Sequence, residues 1–180
     1  MTPSVPLAGY TPSTLLGAPK GERLHLRLRA HGRSLTLVKV RGESVQHVLM
    51  KGFLWAMLLP QHPDLLCEVN ANHHYKPDVV SFSERGVPLC WGECGAVTTE
   101  KLSQLASEFP STHFVVSKWA HSDIRGYAQQ LRLELALPPR AAPFEVVSIP
   151  DNCSDEHITR DGEVTLSRED LQIEQIAELI

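Results

Sequence analysis

The sequence predicts an α/β domain: a mixed sheet flanked by helices, with a β-hairpin near each end. Three observations carry that prediction. Residues 23–30 alternate strictly between polar or basic and apolar side chains, the period of a half-buried strand. Residues 43–59 place apolar side chains at helical spacing and stop at Pro60. Residues 77–82 and 87–94 read as two apolar strands joined by the polar turn Ser83-Glu84-Arg85-Gly86.

Composition bounds the rest. The chain has 180 residues, 42% hydrophobic and 21% charged, enough for one domain with a core. Its longest apolar run, Phe53 to Leu59, is far shorter than the roughly 18 residues a membrane helix needs. The N-terminus lacks a basic stretch followed by an apolar one, so a cytoplasmic address without a signal peptide or a membrane partner is expected. Cys67, Cys90, Cys94 and Cys153 form no C-x-x-C pair and read as reduced, buried thiols. The alternative is a zinc site using Cys90 and Cys94 with His73 or His74. A net charge of −4 argues against strong non-specific nucleic-acid binding. The charge is unevenly spread. Residues 20–41 carry seven Lys/Arg against Glu22, and residues 151–180 carry nine acids against Arg160 and Arg168. The basic end either faces phosphates or pairs with the acidic end of the same chain.

The elements follow in order. Residues 1–20, rich in Pro, Ser, Thr and Gly, read as an extended or mobile arm that Leu7, Tyr10, Leu15 and Leu16 would dock. Residues 21–180 form a single domain. Residues 23–30 and 34–40 make the first hairpin around His31-Gly32-Arg33. The helix over 43–59 carries Glu43, His47 and Lys51 every four residues beside its apolar stripe. A short strand over 65–70 and a loop at 70–75 precede the two central strands. Residues 98–109 form a helix capped by Thr98 or Thr99 and closed by Pro110. Strand 113–117, helix 122–135 and strand 144–149 follow. Asp161-Gly162 signals the second hairpin, and 167–179 reads as a short terminal helix.

Two acids stand out. Asp78 follows Pro77 and Glu93 follows Gly92, each at an end of a strand otherwise built for burial. Burying a carboxylate there is costly unless something pairs with it. On adjacent antiparallel strands the two would share one hard cation, Mg²⁺ (or Mn²⁺), with the Cys94 carbonyl as a third oxygen ligand. Lys101 lies in the first turn of the next helix, where a positive charge opposes the helix dipole. It would position an attacking water or stabilise transition-state charge, and Glu43 would serve as an outer ligand or base. The plainer alternative is that Asp78 and Glu93 cap strand ends or pair with Arg85 and Lys101.

Glu43 on a helix, Pro77-Asp78 on a strand and Glu93-Cys94-Gly95 on the next resemble the PD-(D/E)XK nuclease superfamily. Within it the chain is most similar to the bacterial YaeQ family. The likeness rests on GESVQHVLMKGFLWAM, PDVV, WGECG and the tail ITRDGEVTLSREDLQIE, and it covers roughly residues 22–175. It implies a restriction-endonuclease-like core, with Asp78 and Glu93 as metal acids and Glu43 as the helix acid. The superfamily's lysine two residues after the second acid is missing, because Gly95 stands there; Lys101 is its candidate replacement. The leading expectation is therefore a Mg²⁺-dependent nuclease acting on DNA or RNA. The alternative is a catalytically inactive nuclease-like fold that binds a protein or nucleic acid.

Overall fold

The computed structural model describes residues 5–180. Residues 1–4, the start of the expected arm, lie outside the described residues.

The rest of that arm does not extend away. Leu7 and Leu15 are fully buried in the core, and Tyr10 donates its hydroxyl hydrogen to Glu22 at 2.6 Å. Lys39, also fully buried, closes the segment onto the body. Its ammonium donates to the carbonyls of Pro19, Lys20 and Glu22 at 3.1, 2.9 and 2.7 Å. Three carbonyls satisfy the three donors of a buried ammonium.

Strands β1 (Leu24–Ala30) and β2 (Arg33–Lys39) form a separate antiparallel ribbon. Its apolar face of Leu24, Leu26, Leu28 and Ala30 is buried, as the alternation predicts. Helix α1 (Val45–Leu58) lies between this ribbon and the main sheet. That sandwich explains the unbroken run from Phe53 to Leu59, since a helix covered on both sides is apolar all round. Gly52 permits the close approach, because a β-carbon there would sit 2.5 Å from Leu28 Cδ1.

The main sheet has six strands: β3 (Leu66–Cys67), β4 (Val79–Phe82), β5 (Pro88–Cys94), β6 (His113–Trp119), β7 (Phe144–Ile149) and β8 (Gln172–Gln175). They lie side by side in chain order. β3, β4 and β5 are antiparallel, β5, β6 and β7 parallel, and β8 antiparallel to β7. Helices α2 (Thr99–Glu108) and α3 (Ile124–Leu135) are the crossovers between the parallel strands. They pack on the face opposite α1. Cys90, Cys94, Val115 and Val147 join the α1 core, whereas Trp91, Phe114, Val116 and Val146 join the α2–α3 core.

The C-terminal region departs most from the sequence expectation. The stretch expected as a terminal helix is a 3-10 turn at Arg168–Asp170 followed by β8. Edge pairing with β7 outweighs a weak helical signal in a polar segment. The turn at Asp161-Gly162 forms, but its ladder narrows to one antiparallel bridge, Ile158 to Val164. A short helix α4 (Cys153–His157) takes up the residues before it. β3 keeps only two residues of the expected strand.

Candidate functional site at the β4–β5 strand ends

The end of β5 is where the acids meet their partners. Pro77 fixes the chain entering β4, and Asp78 then closes the antiparallel ladder. Its N–H donates to the Gly92 carbonyl at 3.0 Å, and its carbonyl accepts from Glu68 N–H at 2.9 Å. Its carboxylate accepts the Cys94 N–H at 2.7 Å and lies 3.5 Å from His47 Nε2. Burial pushes the Asp78 carboxyl up, but the His47 ring and the Cys94 N–H outweigh it and hold it below its ordinary value.

Glu93 is turned to the other face. It shares that side with Trp91, two residues back, whose indole N–H donates to its carboxylate at 2.7 Å. The Lys101 ammonium reaches its second oxygen at 2.7 Å. Burial dominates here and raises the Glu93 carboxyl, although Lys101 and Trp91 pull the other way. Lys101 comes from the first turn of α2, where its backbone N–H is already capped by Thr98. Its ammonium lies 5.2 Å from the Tyr75 ring centre. Gly95 has φ +82, a conformation that L side chains rarely adopt, so a lysine there would be strained.

Glu43 stands just before the α1 cap, Ser44, rather than within the helix. Its carboxylate is tied to Lys51 at 2.8 Å, and Lys51 also holds Glu68 at 2.7 Å. His47 lies 3.7 Å from Glu43 and so links this trio to Asp78. The recurrence of Glu43, His47 and Lys51 every four residues thus marks one polar edge of α1. Glu68 is the member that sequence reasoning missed. Its φ of +58 is unusual for a non-glycine residue, and it turns the carboxylate onto a lysine only 4% exposed.

The candidates are therefore brought to one end of the sheet in two groups. Glu43, His47, Lys51, Glu68 and Asp78 meet on the α1 side; Trp91, Glu93 and Lys101 meet on the α2 side. The groups join at Cys94, whose N–H binds Asp78 and whose preceding residue is Glu93. Glu43, Asp78 and Glu93 do not gather as a trio. Among the described residues, three metal-ligating atoms come within 4.8 Å of one another only at His62, Cys90 and His113. The alternative zinc set is not assembled either. Cys94 faces the α1 core, and His73 packs against Trp91 on the other side while holding Glu108 at 3.0 Å. Of the basic N-terminal strand, Arg29 pairs with Asp161 and Glu163, so the basic and acidic ends of the chain do meet.

A six-stranded mixed sheet with helices on both faces and a separate ribbon defines the class of fold. Solved structures of YaeQ proteins share it. The YaeQ protein of Xanthomonas axonopodis pv. citri matches with a TM-score of 0.53 and 14% identity, covering 75% of this chain and 76% of that one. The YaeQ protein of Pseudomonas syringae matches with a TM-score of 0.50 and 14% identity, covering 77% of each chain. The fold is YaeQ-like. No protein-family model matches the sequence, and no curated protein matches it. Among the described residues, no helix is long and apolar enough to cross a membrane.

Proposed function

We propose that the chain is a metal-dependent phosphodiesterase of PD-(D/E)XK type acting on nucleic acid. The observation that carries this reading is the Lys101 ammonium, 2.7 Å from Glu93. It stands in for the lysine that Gly95 replaces, delivered from the following helix instead of the strand. The reading requires Asp78 and Glu93, which the fold holds on opposite sides of Cys94, to turn toward one ion with the Cys94 carbonyl; such an oxygen-only set is of the kind Mg²⁺ or Mn²⁺ takes, with waters completing the shell. When bound, the ion would neutralise charge on a phosphoryl oxygen and acidify a water.

The protein's own groups do the rest. Asp78 is held ionised and oriented by His47 and the Cys94 N–H. Trp91 fixes the rotamer of Glu93. Lys101 keeps a positive charge where phosphoryl charge develops. Glu43 neutralises and positions Lys51 rather than serving as a free base.

The test is cleavage of plasmid DNA and of labelled single-stranded DNA and RNA in Mg²⁺ and in Mn²⁺. Wild type should cut at least one of these, and Asp78→Ala and Glu93→Ala should not. An inert wild type, or equal cutting by both variants, removes the reading. A second reading, a nuclease-like scaffold that binds without cutting, is favoured by one observation. Glu43, the expected helix acid, is already held by Lys51 at 2.8 Å and is not free to serve an ion. It predicts retention of a nucleic acid or a protein partner by the uncut complex.

A further inference from the structure

A second polar centre lies at the other end of β5, on the α1 face of the sheet. Cys90 on β5 stands beside His113 on β6 in register. Glu145 on β7 is one side-chain step further along, with Gln175 of β8 opposite it. His62 enters from the turn after α1, where Pro60 ends the helix and the His62 N–H donates to the Leu58 carbonyl at 2.8 Å.

The side chains form a directed chain. His62 Nε2 lies 3.0 Å from His113 Nδ1, and His113 Nε2 lies 3.0 Å from Glu145. Glu145 is only 2% exposed. Arg168 grips it with two bonds of 3.0 and 2.7 Å, and the Gln175 amide adds a third at 2.6 Å. Burial alone would raise the Glu145 carboxyl, but His113 and Arg168 hold it down at about 2. Arg168 and Gln175 hold Glu145 in place as an acceptor, and His113 turns Nε2 to it and Nδ1 toward His62.

Packing does not explain this centre. Apolar side chains of similar volume would stabilise the sheet as well or better. A carboxylate that fixes one imidazole nitrogen while the other points at a common spot is the arrangement found behind metal-ligating histidines. The ligand atoms of His62, Cys90 and His113 all lie within 4.8 Å of one another. A pocket of about 460 Å³ opens beside them, where His62, His113 and Glu145 meet apolar neighbours that include Leu89, Ala141 and Pro143.

The geometry points to a zinc-class divalent metal site made of His62 Nε2, His113 Nδ1 and Cys90 Sγ, with a fourth position open to that pocket. Three Cys/His ligands and one free position are typical of a reactive zinc rather than a closed structural one. Occupying it costs one proton per ion. The Cys90 thiol releases its hydrogen, while His62 moves its own from Nε2 to Nδ1 and frees the lone pair. The site does not share residues with the Asp78–Glu93 end and does not depend on nuclease activity.

The experiment uses untagged full-length protein stripped with chelator, then titrated with Zn²⁺ against a chromophoric competitor and with Co²⁺ by absorption. One equivalent should bind, with Co²⁺ giving tetrahedral bands and a thiolate charge-transfer band that Cys90→Ser abolishes. His62 is half-buried at the edge of the core, so His62→Gln should fold normally and bind Zn²⁺ at least ~10-fold more weakly. Glu145→Gln should weaken it ~10–100-fold through the positioning of His113. Asp78→Ala should bind as wild type does. Absence of saturable binding overturns the site, as does a single equivalent whose affinity His62→Gln leaves unchanged. If Cys90→Ser fails to fold, His62→Gln decides alone.

Discussion

Cys90 and Glu93 stand three residues apart on one strand, yet they belong to opposite faces of the sheet and to different chemistry. At the Glu93 end the donors are carboxylates, each held by its own cation or N–H, and the groups open toward a strand end. At the Cys90 end the groups are two imidazoles and a thiol, gathered from the half-buried His62 inward and backed by one carboxylate. The first arrangement suits a hard ion that keeps its water; the second suits a softer ion held by the protein itself. Alternation along β5 lets seven residues serve both without crossing the core.

Exchanging one end while watching the other breaks or sharpens this comparison. The largest effect should come from Lys101→Met, which removes the amine paired with Glu93 and, on the proposed function, should cut phosphodiester turnover about 100–1000-fold. Zn²⁺ affinity should stay unchanged in the same variant. Loss of both together would mean that the ends are coupled through the strand.

Next is Lys51→Met. It strands Glu43 and Glu68 in a partly buried site and should cost about 3 kcal/mol of folding stability. Thermal unfolding would then fall by roughly 6–12 °C. A loss confined to stability makes Lys51 a support for the acid end; a selective loss of turnover makes it part of the chemistry.

The same residue sets a pH dependence. Burial alone would lower the Lys51 pKa, but Glu43 and Glu68 raise it above its ordinary 10.5. Its contribution to stability is therefore complete below pH 10.5 and is lost as pH rises through the higher folded-state value. Denaturant midpoints measured across that alkaline range should fall in wild type and stay flatter in Lys51→Met. The smallest effect is Ser44→Ala, which removes the cap bond to the His47 N–H and should cost about 1 kcal/mol. Because His47 begins at that cap, turnover should fall slightly and Zn²⁺ affinity not at all.

The two ends also differ in how well the sequence reveals them. Asp78 and Glu93 sit on adjacent strands joined by a short turn, and each is an acid in an apolar run. Lys101 is conspicuous because it opposes the dipole of its own helix. Such anomalies are local, and local anomalies can be read. The histidine end is built from four separated segments plus Arg168, and only the parallel order of β5, β6 and β7 brings them together. Glu145 carried the same signal as Asp78, a lone acid within the apolar run FEVVSI, but nothing near it in sequence suggested a partner. The helices α1, α2 and α3 were legible from periodicity and caps. The tail was not, because β8 owes its strand to the β7 edge rather than to its own residues.

The most direct test of the hard-ion end is a Mn²⁺ titration followed by electron paramagnetic resonance on zinc-loaded protein. The account predicts one bound Mn²⁺ per chain in wild type, and its loss in Asp78→Ala. Mn²⁺ that binds nowhere, or binds equally well in Asp78→Ala, would contradict it.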